Sequence, residues 1–210
     1  MALKERTKLI ANGCWTKLES LAANRAYTKR YHLKPGDTVI DAGAFFGNFT
    51  AYASRKVGKK GKVIAYEPDP TNHRVLIRKV KRLGLTNVEV VCKGLFNKVS
   101  KLGFKSEMAQ SRIAEDNKGA EIETTTLDQE LTDRHLEKVD FLKADIEGAE
   151  VEMLEGVKYS TRKIKNMAIA SYHERGGEKT ADIVATKLRE IGYKTEIGFP
   201  VHLTVWASRD

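Results

Sequence analysis

The stretch Asp37-Thr38-Val39-Ile40-Asp41-Ala42-Gly43-Ala44-Phe45-Phe46-Gly47-Asn48-Phe49-Thr50 decides the reading of the fold. A β-branched run ends in a carboxylate, two glycines follow four residues apart, and a helical pattern then begins. That order predicts a strand, a tight turn and a helix opening at the turn. Glycine lets the turn backbone take left-handed conformations and approach a ligand closely, and the helix N-terminus beside it offers unpaired N–H groups. The stretch therefore reads as a loop that holds a nucleoside-containing cofactor.

Working outward, the same alternation recurs. Lys62 to Glu67 reads as a second strand, and Asp69-Pro70 as an N-cap with proline in the first helical turn. The helix that follows places Val75, Leu76, Val80 and Leu83 inward and Arg74, Arg78, Lys81 and Arg82 outward. Further strands are expected at Asn87–Val91, Val139–Ala144 and Asn166–Tyr172, and helices at Leu127–Lys138, from Glu150 to Leu154, and at Thr180–Ile191. Two last strands, Tyr193–Ile197 and His202–Ala207, have a connection short enough for antiparallel pairing. Lys98 to Glu123 is the least regular part, with a short hairpin expected. The fold class is α/β, a doubly wound and mostly parallel Rossmann-like sheet. Residues 32–210 form this domain. Residues 1–31 read as a helical extension, with Leu9, Ile10, Leu18, Leu21 and Ala22 on one face. Whether that helix is a lid or a packing element stays open.

At 210 residues the chain suits one α/β domain, and 41% hydrophobic with 31% charged residues suits a soluble one. No apolar run approaches the roughly 20 residues of a membrane span, and the N-terminus has no signal-peptide core. Cys14 and Cys92 are far apart, so neither a disulfide framework nor a zinc knuckle is expected, and a cytoplasmic setting is. The net charge of +9 is unevenly spread. Arg55 to Lys105 carries 14 Lys/Arg against three acidic residues, whereas Glu115 to Glu155 carries 14 Asp/Glu against four basic ones. The basic stretch is either a solvated face or a surface for an anionic substrate or partner.

The glycine spacing, G-x-x-x-G with no third glycine, departs from the dinucleotide fingerprint, and there is no P-loop. A carboxylate just before the first glycine repels a pyrophosphate and suits a cofactor with a cationic methionine end. S-adenosylmethionine carries an ammonium and a sulfonium and no phosphate. Glu67, ending the second strand, is placed to accept both ribose hydroxyls.

Four blocks, Asp41 to Thr50, Ala65 to Pro70, Thr125 to Asp128 and Val139 to Glu150, resemble FkbM-type methyltransferases in order and spacing. The last block, with its Lys-x-Asp-x-Glu-Gly-x-Glu pattern, is the most specific. The resemblance implies a seven-stranded sheet with an antiparallel last strand, S-adenosylmethionine as cofactor, and usually O-methylation. Carried over, it implies that Asp41, Gly43, Ala44 and Gly47 form the methionine-side loop, with Phe49 and Thr50 along it. Glu67 holds the ribose, Pro68 and Asp69 flank the adenosine, and Gly94 and Leu95 lie near adenine, where the family often has Ala-Leu. Asp145 sits beside the methyl group.

Methyl transfer asks an enzyme to position an oxygen and to take its proton. Lys143, Asp145, Glu147 and His173 are the candidate catalytic residues. Lys143 and Asp145 share a face if the strand reaches that far. His173 stays where the family has Glu-x-His, with Ser171 in place of the glutamate. Glu147 and Glu150 also suit the positive end of a helix dipole without any further role. A divalent metal is compatible with these residue types and is not expected. The leading acceptor is a hydroxyl on a small molecule or glycan. An RNA ribose 2′-hydroxyl, approached through the basic surface, and a non-catalytic cofactor-binding module stay open as alternatives. Base N-methylation is disfavoured, because the fourth strand ends Lys143-Ala144-Asp145-Ile146 with no [ND]-P-P-[YFW] motif.

Overall fold

A computed structural model describes residues 17–105, 112–113, 120–198 and 203–209. The chain enters through helix α1 (Lys17–Tyr27) and then alternates: β1 (Thr38–Ala42), α2 (Asn48–Val57), β2 (Lys62–Tyr66), α3 (Pro70–Arg82), β3 (Val88–Val91). A second group of short strands follows: β4 (Gly94–Leu95), β5 (Ser100–Lys105), β6 (Arg112–Ile113) and β7 (Ala120–Thr125). Alternation then resumes with α4 (Leu127–Asp133), β8 (Val139–Ala144), α5 (Glu150–Glu155) and β9 (Ile164–Ala170). A small hairpin, β10 (Glu174–Arg175) and β11 (Glu178–Lys179), leads into α6 (Thr180–Glu190), β12 (Lys194–Gly198) and β13 (Thr204–Ser208).

The main sheet has seven strands in the order β12-β13-β9-β8-β1-β2-β3. β13 is antiparallel to both β9 and β12, and the pairs from β9 to β3 are parallel. Period-two alternation sorts each central strand onto two cores. Ile40, Ile64 and Leu142 pack toward α4, α5 and α6. Val39, Val63 and Phe141 pack with Tyr27, Phe49 and Trp206 under α1 and α2. The register sets Asp41 of β1 opposite Lys143 of β8, which matters below.

Several boundaries differ from the sequence reading, for identifiable reasons. The helix expected over Leu127–Lys138 stops at Asp133, because His135 takes φ 51° and closes a Schellman turn. The Leu136 amide donates to the Leu131 carbonyl and the His135 amide to the Thr132 carbonyl. Histidine fills the place where glycine would have signalled the stop. The expected hairpin in Lys98–Glu123 is a four-stranded sheet, β4-β7-β5-β6, in which Ile122 and Thr124 turn inward while Glu121 and Glu123 face solvent. β9 ends at Ala170 rather than Tyr172, so His173 lies in the loop beyond it. In the N-terminal extension, Leu9 and Ile10 fall outside the described residues, and Ala22 is exposed. Ala26 and Tyr27 carry the packing instead, with Trp206 Nε1 donating to both of their carbonyls. Among the described residues no helix is long and apolar enough to cross a membrane.

Candidate active site

The loop Gly43–Gly47 leaves β1 at the carboxyl end of the sheet. Gly43 and Gly47 have φ of 71° and 74°, conformations that glycine takes at little cost. Space demands glycine as well. A Cβ on Gly43 would lie 1.9 Å from the Asp145 carbonyl oxygen, and one on Gly47 would lie 2.3 Å from Leu76 Cδ1. Phe45 also has a positive φ, 50°, which is uncommon for a bulky residue. Its amide donates to Glu67 Oε2 at 2.7 Å, a charge-assisted bond that holds the turn in that shape. Glu67 Oε1 accepts from the Asp69 amide at 3.1 Å. Burial pushes the Glu67 carboxyl up to about 7.

Several of the expected loop residues are closed off inside the framework. Asp41 is fully buried; its Oδ2 accepts from Thr50 Oγ1 at 2.6 Å, and Lys143 Nζ lies 3.1 Å from its Oδ1. Lys143 also donates to the carbonyls of Ala42 and Gly43. The lysine therefore faces Asp41 across β1 and β8 instead of joining Asp145, since β8 ends at Ala144. Asp69 accepts from the Thr71 and Asn72 amides as the N-cap of α3. Phe49, Ala44 and Leu95 are buried among apolar neighbours. Gly94 lies beside Pro68: a Cβ there would sit 3.7 Å from Pro68 Cβ. The side chain of Glu67 and the backbone of Gly43–Gly47 thus form the lining at this end.

The other half of the site gathers around the turn after β8. Asp145 Oδ2 accepts from the Tyr27 hydroxyl at 2.8 Å, and the Tyr172 hydroxyl stands 3.5 Å from its Oδ1. Burial first, and the Asp145 charge second, raise both phenols well above their ordinary value. Glu147 takes φ 54°, and its Oε2 lies 3.5 Å from His173 Nε2. That contact raises the histidine above its ordinary value. Glu150, fully buried, accepts from the amides of Ile146 and Gly148 at 3.2 Å each, which fixes the turn that presents Glu147. Burial pushes its carboxyl up to about 7. Of the four candidate catalytic residues, Asp145, Glu147 and His173 are brought together, and Lys143 is set apart with Asp41. Among the described residues no group of three or more His, Cys, Asp or Glu is arranged to hold a metal ion. A separate cavity of about 270 Å³, lined by Tyr31, Phe141 and Trp206 among others, contains none of these residues.

Comparison with known proteins bears on the same stretch. The model of the Methyltransferase FkbM domain matches residues 41–195, from the start of the glycine loop to β12. The chain belongs to the FkbM methyltransferase family. It is 26% identical to the methyltransferase sdnD of Sordaria araneosa, over 66% of this chain and 67% of that protein. A SAM-dependent methyltransferase from Aquifex aeolicus superposes with a TM-score of 0.59 at 22% identity, covering 96% of this chain and 97% of its own. The methyltransferase FkbM of Methylobacillus flagellatus KT superposes at 0.61 and 18% identity, over 86% of this chain and 45% of that one.

As an FkbM methyltransferase the protein uses S-adenosylmethionine, and its residues fit that cofactor. The glycine cradle admits no Cβ, Glu67 offers a buried acceptor at the end of β2, and Lys143, which bonds the loop backbone, is paired with Asp41. A loop whose bonded lysine is already paired with a carboxylate suits a ligand without phosphate. The carboxylates of Asp145, Glu147 and Glu150 suit a cationic one. Two residues escaped the sequence reading. Tyr172 adjoins His173 and was within reach of that motif. Tyr27 is 118 positions from Asp145, and only the packing of α1 brings it there.

Proposed function

We propose that this FkbM methyltransferase methylates a hydroxyl oxygen of a small molecule or glycan in the cytoplasm, with residues 32–210 as the catalytic domain and 1–31 as an extension from which Tyr27 reaches the site. The observation that carries this reading is the His173–Glu147 pair, 3.5 Å apart at the carboxyl end of the sheet. Bound S-adenosylmethionine supplies an electrophilic methyl group. The chain supplies position and a proton acceptor. Gly43–Gly47 and Glu67 hold the cofactor, and Asp41, Thr50 and Lys143 keep that loop in shape. His173 takes the proton from the acceptor hydroxyl, and Glu147 orients the imidazole and stabilises it once charged. A base of this kind works in its neutral form. Because Glu147 raises the histidine, turnover increases with pH through a point higher than that of a free histidine.

Cell extract incubated with the enzyme and a labelled methyl donor, followed by mass spectrometry, identifies the acceptor. Label on a small hydroxylated compound or glycan is the expected result. Label confined to RNA overturns the acceptor class, and donor binding with no labelled product overturns catalysis. The variant His173→Gln lowers turnover by about a hundredfold or more while leaving donor affinity in calorimetry unchanged. Full turnover in that variant removes His173 as the base.

A further inference from the structure

Most cations of the basic stretch singled out in the sequence take no part in the site described above. Nine of its cations, on α2, on the turn after it and on α3, have no carboxylate partner among the described residues. The two helices that carry most of them are tied together by side-chain hydrogen bonds. Asn87, just past α3, donates to the carbonyls of Ser54 and Gly58 and accepts from Ser54 Oγ, which stitches the carboxyl end of α2 to the segment leaving α3. Nearer the glycine loop, Lys79 Nζ donates to Asn48 Oδ1. Burial lowers Lys79 first, and the charges of Arg82 and Arg55 lower it further.

Helix dipoles explain part of this. Arg55 and Lys56 end α2, and Lys81 and Arg82 end α3, where positive charge is favourable. They do not explain Arg74 and Arg78, or Lys59 and Lys60 on the turn. α3 carries no acidic residue along its length. Like charges three and four residues apart on a helix oppose folding. A surface kept in that state against its own repulsion is built for an anion outside the molecule. Its chemistry narrows the choice. Leu83 is the single exposed large hydrophobic residue on or next to α3 among the described residues, so the face lacks the apolar side chains that a membrane surface or a hydrophobic partner needs.

We infer that the outward faces of α2 and α3, with the turn between α2 and β2, dock the phosphate backbone of a nucleic acid. Among the described residues the one aromatic ring against these cations is the half-buried Tyr52, under Lys56, so the surface reads charge and spacing rather than sequence. The inference goes beyond methyl transfer and does not depend on it, because binding is measured without a methyl donor.

The test is fluorescence anisotropy with a labelled RNA hairpin, titrated at several salt concentrations. Affinity falls steeply with salt, and the triple variant Arg55→Gln/Lys79→Gln/Arg82→Gln binds at least about tenfold more weakly, with the salt slope reduced by about three. A second variant on the same face, Arg74→Gln/Arg78→Gln/Lys81→Gln, gives the same result and guards against a folding defect in the first. Both retain wild-type affinity for S-adenosylmethionine, which separates this result from any failure at the active site. Salt-insensitive or absent hairpin binding overturns the inference. So does unchanged affinity in both variants, or equal binding to poly-glutamate, which assigns the face to an acidic protein.

Discussion

The basic and acidic stretches of this chain look like mirror images in sequence and behave as opposites in the fold. From Glu121 to Glu155 twelve acidic residues are described, and all but Glu123 have a partner. Asp128 accepts from three consecutive amides at Lys158, Tyr159 and Ser160. Glu130 takes the Tyr66 hydroxyl and Arg134, and Asp140 takes the Thr38 amide. The acids hold turns, tie loops to strands and build the site. The cations of α2 and α3, apart from the half-buried Lys79, face water. An uneven charge distribution therefore carries two different messages, and only the partners tell them apart: a paired acid is architecture, an unpaired base is an offer to another molecule.

The sharpest way to break this comparison is to remove a partner from the acidic set. Lys143→Met leaves Asp41 buried without its counter-charge, and unfolding in urea is expected to show a loss of about 3–5 kcal/mol. The double variant Asp41→Asn/Lys143→Met recovers much of it. A loss below about 1 kcal/mol would mean that the pair is not what holds the loop. Next in size is Gly43→Ala, whose new Cβ meets the Asp145 carbonyl in a left-handed backbone. Overpacking and strain together cost about 2–4 kcal/mol, and binding of S-adenosylmethionine in calorimetry falls with it. Near-normal stability and binding in that variant would show that β1 and β8 separate easily, against the close approach seen here.

Much of this was legible beforehand because it rests on local signals. The β1–loop–α2 unit is announced by its apolar run and its two glycines, and the α3 N-terminus by Asp69-Pro70. The acidic cluster at Asp145–Glu150 is announced by its spacing. What was not legible depends on register. Nothing near Lys143 says that it answers Asp41 rather than Asp145; that follows from β1 and β8 lying side by side with those residues paired. Tyr27 reaches Asp145 only because α1 packs on α2 and Trp206. The end of α4 was missed because a histidine does what glycine usually does. The sheet of β4 to β7 looks like a hairpin in sequence because two of its strands are two residues long and leave almost no periodicity.

Glu67 sharpens the comparison from inside the acidic logic, as an acid that burial holds near its titration point. Its folded carboxyl is raised to about 7 from about 4.5, so the folded state holds the proton more tightly than the unfolded one. The stability it contributes is complete below pH 4.5 and is lost as pH rises through about 7, with a slope of at most about 1.4 kcal/mol per pH unit. Glu150 and His173 are raised in the same direction, so Glu67→Gln removes one of several contributions and leaves a shallower decline. Urea midpoints across that window measure it, and identical pH profiles for wild type and variant would mean that Glu67 is ionised throughout. Donor binding adds a second readout. If the ionised carboxylate accepts the ribose hydroxyls, affinity rises by about tenfold between one pH unit below that point and one above, and the variant shows no such rise.

The smallest expected effect is on the basic side, and its smallness is the point. Neutralising Arg78 to Gln on the exposed face of α3 changes stability by no more than about 0.5 kcal/mol, with a gain the expected sign, since a like-charge repulsion disappears and no partner is lost. Arg134→Gln supplies the contrast. Arg134 bonds Glu130 and Glu89 and joins α4 to β3, and its removal leaves the buried Glu130 with less of the charge that offsets its own. The same substitution at two arginines in one protein then separates the classes by stability alone. Arg134 behaves as part of the scaffold and Arg78 does not. A cation that contributes nothing to its own fold, on a face whose cations have no carboxylate partner among the described residues, has its energetic partner outside the chain. Should Arg78→Gln destabilise the protein as much as Arg134→Gln, the basic face is holding the fold together after all, and the case for an external anion falls with it.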